Sequence, residues 1–176
     1  MKFEETELPG VYHVLVERFE DRRGHFARLY CPDEFAQAGV DFSLAQINLS
    51  RNPQLHTLRG MHWQDPPFAE AKFVRCVKGS IYDVAVDIRR DSPAFGKWIA
   101  RTISAEEENA LFVPEGFAHG FITLEPDTDV LYQMGRMYEP GHAKGFRFDD
   151  PAFEIAWPHA PAMIGEADES WPEFVA

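Results

Sequence analysis

A chain of 176 residues with 45% hydrophobic and 26% charged residues is long enough to close one well-buried core, so a single domain over residues 1–176 is expected. The formal net charge of −12 would repel a polyanion over most of the surface, which excludes nucleic acid as an expected partner and leaves small anions only where cations cluster locally. Met1 to Glu5 form neither a basic nor an apolar leader, no apolar run approaches bilayer length, and Cys31 and Cys76 lie in unlike contexts, so reduced thiols, a cytoplasmic setting and no membrane insertion are expected.

The aromatic content of 14%, with 15 Phe and 4 Trp, favours thick sheets over a helical bundle. In chain order, Val11 to Phe19 is β-rich, Asp21-Arg22-Arg23-Gly24 supplies turn chemistry, and His25 to Tyr30 resumes as a return strand. Pro32 to Gly39, with Pro and acidic residues at its front and Gly at its end, predicts a short helix. Strands are predicted at Ser43 to Ser50, Thr57 to Gln64, Lys72 to Lys78, Ser80 to Arg89, Lys97 to Ser104, Ala110 to Pro114, Ala118 to Glu125 and Thr128 to Met137. Lys78-Gly79-Ser80 reads as a tight hairpin, and Phe153 to Pro158 as one more short strand. Many short strands without βα alternation indicate an all-β sandwich or barrel. The acidic, Pro-punctuated stretch from Ala160 to Ala176 reads, on composition, as a solvated terminus.

Four histidines, His56, His62, His119 and His142, lie in or near the central strands, so a metal site is the first possibility to weigh. Only His62 and His119 are expected to face inward, and glutamine stands two residues after His62, so the ligand set is incomplete and no metal is expected. No Ser or Cys occupies a nucleophile elbow. General acid–base chemistry fits better: His62 as base, oriented by a carboxylate, with a tyrosine such as Tyr132 as acid. Each also has a plain structural reading, His62 as a hydrogen-bonded sheet histidine and Tyr132 as core packing. Lys72, Arg59, Arg23 and His119 are the cations that could build a local anion pocket, and the glycines around Pro114-Glu115-Gly116 and His119-Gly120 suggest a closely approached backbone.

Leu58-Arg59-Gly60-Met61-His62-Trp63-Gln64, Lys72-Phe73-Val74-Arg75-Cys76, Tyr82 to Arg89 with Ser92-Pro93, and Pro114-Glu115-Gly116-Phe117-Ala118-His119-Gly120-Phe121, in this order, resemble the dTDP-4-dehydrorhamnose 3,5-epimerase family over about Pro9 to Asp168. The resemblance implies a cupin-type jelly roll, a homodimer to which the N-terminal strands contribute, and a pocket for a nucleotide-diphospho-4-keto-6-deoxy sugar, with neither metal nor other cofactor. It implies His62 as base, Asp168 as its carboxylate partner, Tyr132 as acid and Lys72 as the cation beside the C4 oxygen. Gln46, Asn48, Arg59 and His119 match residues around the sugar and diphosphate, Tyr138 the aromatic that stacks on the base, and Arg23 a contact donated across the dimer. The chain departs from the family pattern at Arg28, Ala143 and Ala167, all expected on the nucleotide side, so a CDP- or GDP-linked sugar stands beside the dTDP-linked default. Inversion at C3 alone or at C3 and C5 is open. A non-catalytic cupin that binds a sugar nucleotide and a metal-dependent cupin are the alternatives from other classes. Arg59 and His62 are three apart, so if both reach one pocket a bulge or twist near Gly60 is required, or Arg59 must approach from the rim.

Overall fold

The β-forming runs fold into short strands and two short helices in a computed structural model that describes residues 1–175. In chain order these are β1 (Lys2–Glu5), β2 (Tyr12–Leu15), β3 (Arg18–Asp21), β4 (Gly24–Ala27), α1 (Pro32–Gln37), β5 (Gln46–Asn52), β6 (Thr57–Gln64), β7 (Lys72–Lys78), β8 (Ser80–Asp87), β9 (Trp98–Ser104), β10 (Ala110–Val113), β11 (Phe117–Thr123), β12 (Thr128–Met134), β13 (Ala143–Gly145), β14 (Met163–Ile164) and α2 (Glu166–Glu169). One sheet runs β1-β2-β10-β7-β12-β5 and the other β13-β6-β11-β8-β9, with β14 added parallel to β6; β3 and β4 form a separate hairpin.

Alternation along the strands decides what each sheet shows to the other. Val74, Cys76 and Val130 of the first sheet meet Ile81, Ala85, Ile99 and Phe121 of the second, filling one end of the sandwich with apolar side chains. The outer face of the first sheet is covered where Phe35 of α1 joins Phe42, Phe73 and Phe112. On the second, Phe146 and Phe153 pack over Met61, Val84 and Val86, with Phe174 against them. The result is a cupin-type jelly roll, dry at one end and lined at the other by inward polar residues from β5, β6, β7, β11 and β12.

Three predicted features differ. Lys78-Gly79-Ser80 is not a hairpin, because β7 and β8 belong to opposite sheets and the turn carries the chain from one to the other. Gly79 takes φ +72° there, and a Cβ on it would stand 2.4 Å from Thr128 Oγ1, so the corner needs glycine for both conformation and space. Phe153 to Pro158 forms no strand; Phe153 and Trp157 instead cap the outer face, with Trp157 Nε1 donating to the Phe148 carbonyl at 2.9 Å. Residues 160–175, read from composition as a solvated terminus, supply β14 and α2, and Asp168 in α2 is buried.

Candidate active site

The central element is β6, which pairs with β11 on one side and with β13 and β14 on the other. His62 faces His119, yet Arg59 faces Phe121, so three steps on β6 span two on β11 and a bulge lies between. Gly60, with φ +123°, occupies it, and the Gly60–Met61 peptide is cis. The bulge changes the parity of the strand, so Arg59 and His62 both border one cavity, as required if the pair is to act together. A Cβ on Gly60 would lie 2.5 Å from Gly120 Cα, and one on Gly120 would lie 2.8 Å from the Arg59 carbonyl oxygen. The close approach inferred for Gly120 is therefore made by β6 itself.

The cavity, about 470 Å³, opens between the two sheets. His62 Nε2 lies 2.6 Å from Asp168 Oδ1, across 106 residues of sequence, and the second carboxylate oxygen accepts the Gly60 N–H at 3.1 Å. Burial pushes the Asp168 carboxyl upward, but the bonds from His62 and Gly60, with the His62 charge and the Trp171 indole, outweigh it and hold the group below the usual carboxylate range. An ionised carboxylate only accepts, so Nε2 carries the hydrogen and Nδ1 is left to take a proton.

A second imidazole–carboxylate pair lies deeper: His119 Nε2 is 2.7 Å from Asp83 Oδ1, and both residues are buried. Tyr132 on β12 meets the His119 ring edge-on at 5.8 Å. Burial, and next the negative charge of Asp83, raise its phenol well above the ordinary value against the opposing pull of Arg59, so the hydroxyl stays protonated. Lys72 Nζ, buried on β7, is 2.8 Å from Glu70 Oε1, which balances its charge, and among the described residues no acceptor completes a well-angled hydrogen bond with it.

His62, Asp168, Tyr132, Lys72, Arg59, His119, Asn48 and Tyr138 all line this cavity. Arg59 Nε donates to Asn52 Oδ1 at 2.8 Å, which fixes the guanidinium at the rim. Gln46 does not line it; its Oε1 accepts the Tyr138 N–H at 3.2 Å, so it holds the loop that presents Tyr138. Arg23 does not reach it either, and sits at the turn of the β3–β4 hairpin paired with Asp21 at 2.5 Å. Of the three departures from the family pattern, Ala143 and Ala167 line the cavity, while Arg28 pairs with Glu34 away from it. His56 stacks on His159, and His142 packs at a tilt against Phe68, both outside the site.

Sequence reasoning missed Asp83, Glu70, Gln64 and Trp171. Asp83 had a signal, as an acid inside the otherwise apolar alternation of β8. Gln64 donates to Glu70 Oε2 at 2.9 Å and accepts the Glu139 N–H at 2.7 Å, tying the Lys72 counter-ion to the Tyr138 loop, a link that only the folded chain reveals.

A family model described as dTDP-4-dehydrorhamnose 3,5-epimerase matches residues 5–176. A protein of that name from Sinorhizobium fredii is 40% identical over 175 residues, covering 99% of this chain and 90% of the relative. The solved dTDP-4-dehydrorhamnose 3,5-epimerase of Bacillus anthracis, with TDP and PPi bound, superimposes with a TM-score of 0.95 at 36% identity, covering 98% of this chain and 99% of that one. The dTDP-6-deoxy-D-glucose-3,5-epimerase of Legionella pneumophila, in complex with dTDP-4-keto-L-rhamnose, gives a TM-score of 0.90 at 28% identity, covering 99% of each chain.

Proposed function

Since this chain belongs to the dTDP-4-dehydrorhamnose 3,5-epimerase family, we propose that it inverts C3 and C5 of a dTDP-linked 4-keto-6-deoxy sugar, with His62 as base and Tyr132 as acid. His62 Nδ1 removes the proton beside the C4 ketone, and Asp168 stabilises the imidazolium that forms. Electron density moves to the C4 oxygen, where the Lys72 ammonium, paired with Glu70 at the cavity wall, stabilises the enolate. Tyr132 then returns a proton to the carbon from the other side; solvent takes the proton from the His62 imidazolium and supplies one to the phenolate, which restores base and acid before the second carbon reacts. Arg59, His119 and Asn48 hold the sugar and diphosphate, and Tyr138 stacks on the base.

The observation that carries this reading is where acid and base come from. His62 belongs to β6 and Tyr132 to β12, strands of opposite sheets, and both border the one cavity between them. A planar enolate lying there has the imidazole on one face and the phenol on the other, which is the requirement for inversion rather than simple exchange. In deuterated water, turnover of the dTDP-, CDP- and GDP-linked 4-keto-6-deoxyglucoses should place deuterium at C3 and C5 of the dTDP sugar. No incorporation into any of the three would defeat the catalytic reading, and label at C3 alone would restrict it to one carbon.

The assembly is a homodimer in this proposal. Among the described residues the β3–β4 hairpin pairs with no other strand, and it exposes Phe19 (65%) and Phe26 (70%), while edge strand β5 exposes Ile47 (54%) and Leu49 (57%). Such aromatic and aliphatic surface supports a protein partner. A second copy receiving the hairpin would bring Arg23 to the nucleotide end of the neighbouring pocket. No helix among the described residues is long and apolar enough to cross a membrane, and the free Cys31 and Cys76 suit the cytoplasmic setting we assign.

A further inference from the structure

We propose that Trp171 is a positioning residue for the His62–Asp168 pair, acting through its buried indole N–H and through the ring that wedges it against Gly145; this rests on the reading of His62 as base. Trp171 follows Asp168 by three residues, one turn onward from α2, and lines the catalytic cavity. Its ring stands edge-on to His62 at 6.4 Å. The opposite surface lies on Gly145 of β13, the residue paired with His62 across the strands. A Cβ on Gly145 would come within 2.4 Å of the indole, so the absence of a side chain there makes the seat.

The indole Nε1 is buried and, among the described residues, completes no well-angled hydrogen bond. After His62 and the Gly60 N–H, the indole is the smallest of the influences that hold the Asp168 carboxyl below the usual range, and both residues line the same cavity. The charged and titratable groups around Asp168 are His62 and Arg59 from β6, Lys144 from β13 and Tyr132 from β12, with Glu166 and Glu169 on its own helix and Arg147, which donates to the Glu169 carbonyl. A neutral donor that favours the anion without competing for a full proton suits this place. The wedge and the donor together fix a carboxylate carried on a four-residue helix, which has little cooperativity of its own to hold it.

Trp171→Phe keeps most of the wedge and deletes the donor. The carbon-13 titration of the Asp168 carboxyl should then move up, and the acid limb of the kcat/KM profile should move in the same direction, since the charged dyad is lost at a higher pH. Gly145→Ala should cut kcat by about tenfold by displacing the ring, and the same substitution in a Trp171→Ala background should have no further effect because the obstacle is gone. An unchanged carboxyl titration in Trp171→Phe, or a Gly145→Ala effect that persists undiminished in Trp171→Ala, would overturn the proposal. If the unsubstituted protein exchanges no deuterium, the functional reading falls, while the titration and the circular dichroism midpoint of the Gly145→Ala and Trp171→Ala pair still decide the role of Trp171.

Discussion

Asp168 is the residue whose chemistry is most exposed to test, because its charge serves both the fold and the site. Its folded carboxyl is held below the ordinary range, so its stabilising contribution is fully present above the unfolded value, about 4, and is lost as pH falls through the folded value. Denaturation midpoints should therefore separate wild type from Asp168→Asn most at neutral pH, with the gap closing in acid. In the proposed reaction Lys72 acts on charge that exists only during turnover. Lys72→Met should lower kcat by about 10²–10³-fold, with a smaller change in KM, as read by steady-state kinetics. His62→Asn should abolish deuterium exchange at both carbons. Tyr132→Phe should still wash label in yet leave the product uninverted, because the abstracting group is intact and the opposite face has lost its acid; normal turnover in that variant would mean the acid is misassigned.

At the scale of the element, the bulge in β6 governs the site. Gly60→Ala would place a methyl against the Gly120 backbone and force a non-glycine residue to φ +123°, a cost of about 2–5 kcal/mol measurable by chemical denaturation, with a loss of activity because the Gly60 N–H also holds Asp168. The odd separation of Arg59 and His62, once the family resemblance put both in one pocket, called for a bulge or twist near Gly60 or for Arg59 to approach from the rim, and the bulge is what forms. Most strands were legible, since Thr57–Gln64 and Lys72–Lys78 carry β-forming runs bounded by turn chemistry. What could not be read locally was which strands pair. The Gly79 turn has hairpin composition, and only packing on Thr128 makes it a corner between sheets. Asp168 is similar: its stretch has the composition of a solvated tail, and burial comes from contacts with β6 more than a hundred residues earlier, so a family resemblance located it where periodicity did not.

At the scale of the molecule, the whole chain carries a net charge of −12, while the cavity gathers Lys72, Arg59 and two histidines beside Glu70 and Asp168. The hairpin arm is rooted by Arg75, a buried guanidinium that burial brings down to about 10, donating to the Leu29 carbonyl at 2.8 Å and the Glu108 carbonyl at 3.1 Å. Glu108 in turn pairs with Arg18 and His25 of the arm at 2.7 Å each. If the arm serves a neighbour, His62→Asn and Arg23→Ala proteins, each impaired alone, should recover about a quarter of wild-type activity when refolded together, because half the pairs are mixed and one pocket in each is whole. Light scattering at the mass of two chains should accompany this, and recovery no greater than the sum of the separate proteins would leave each pocket self-sufficient. The wedged carboxylate has a different consequence. It reaches the barrel at the end of an irregular connection, residues 154–162, that includes exposed Glu154, Ala156 and Pro158 and belongs to neither sheet, so a protease that nicks there should leave a two-piece molecule. The barrel should keep its melting transition, and the chemistry should then depend on whether the clipped peptide stays docked, making activity after dilution a direct gauge of how tightly Trp171 holds its place.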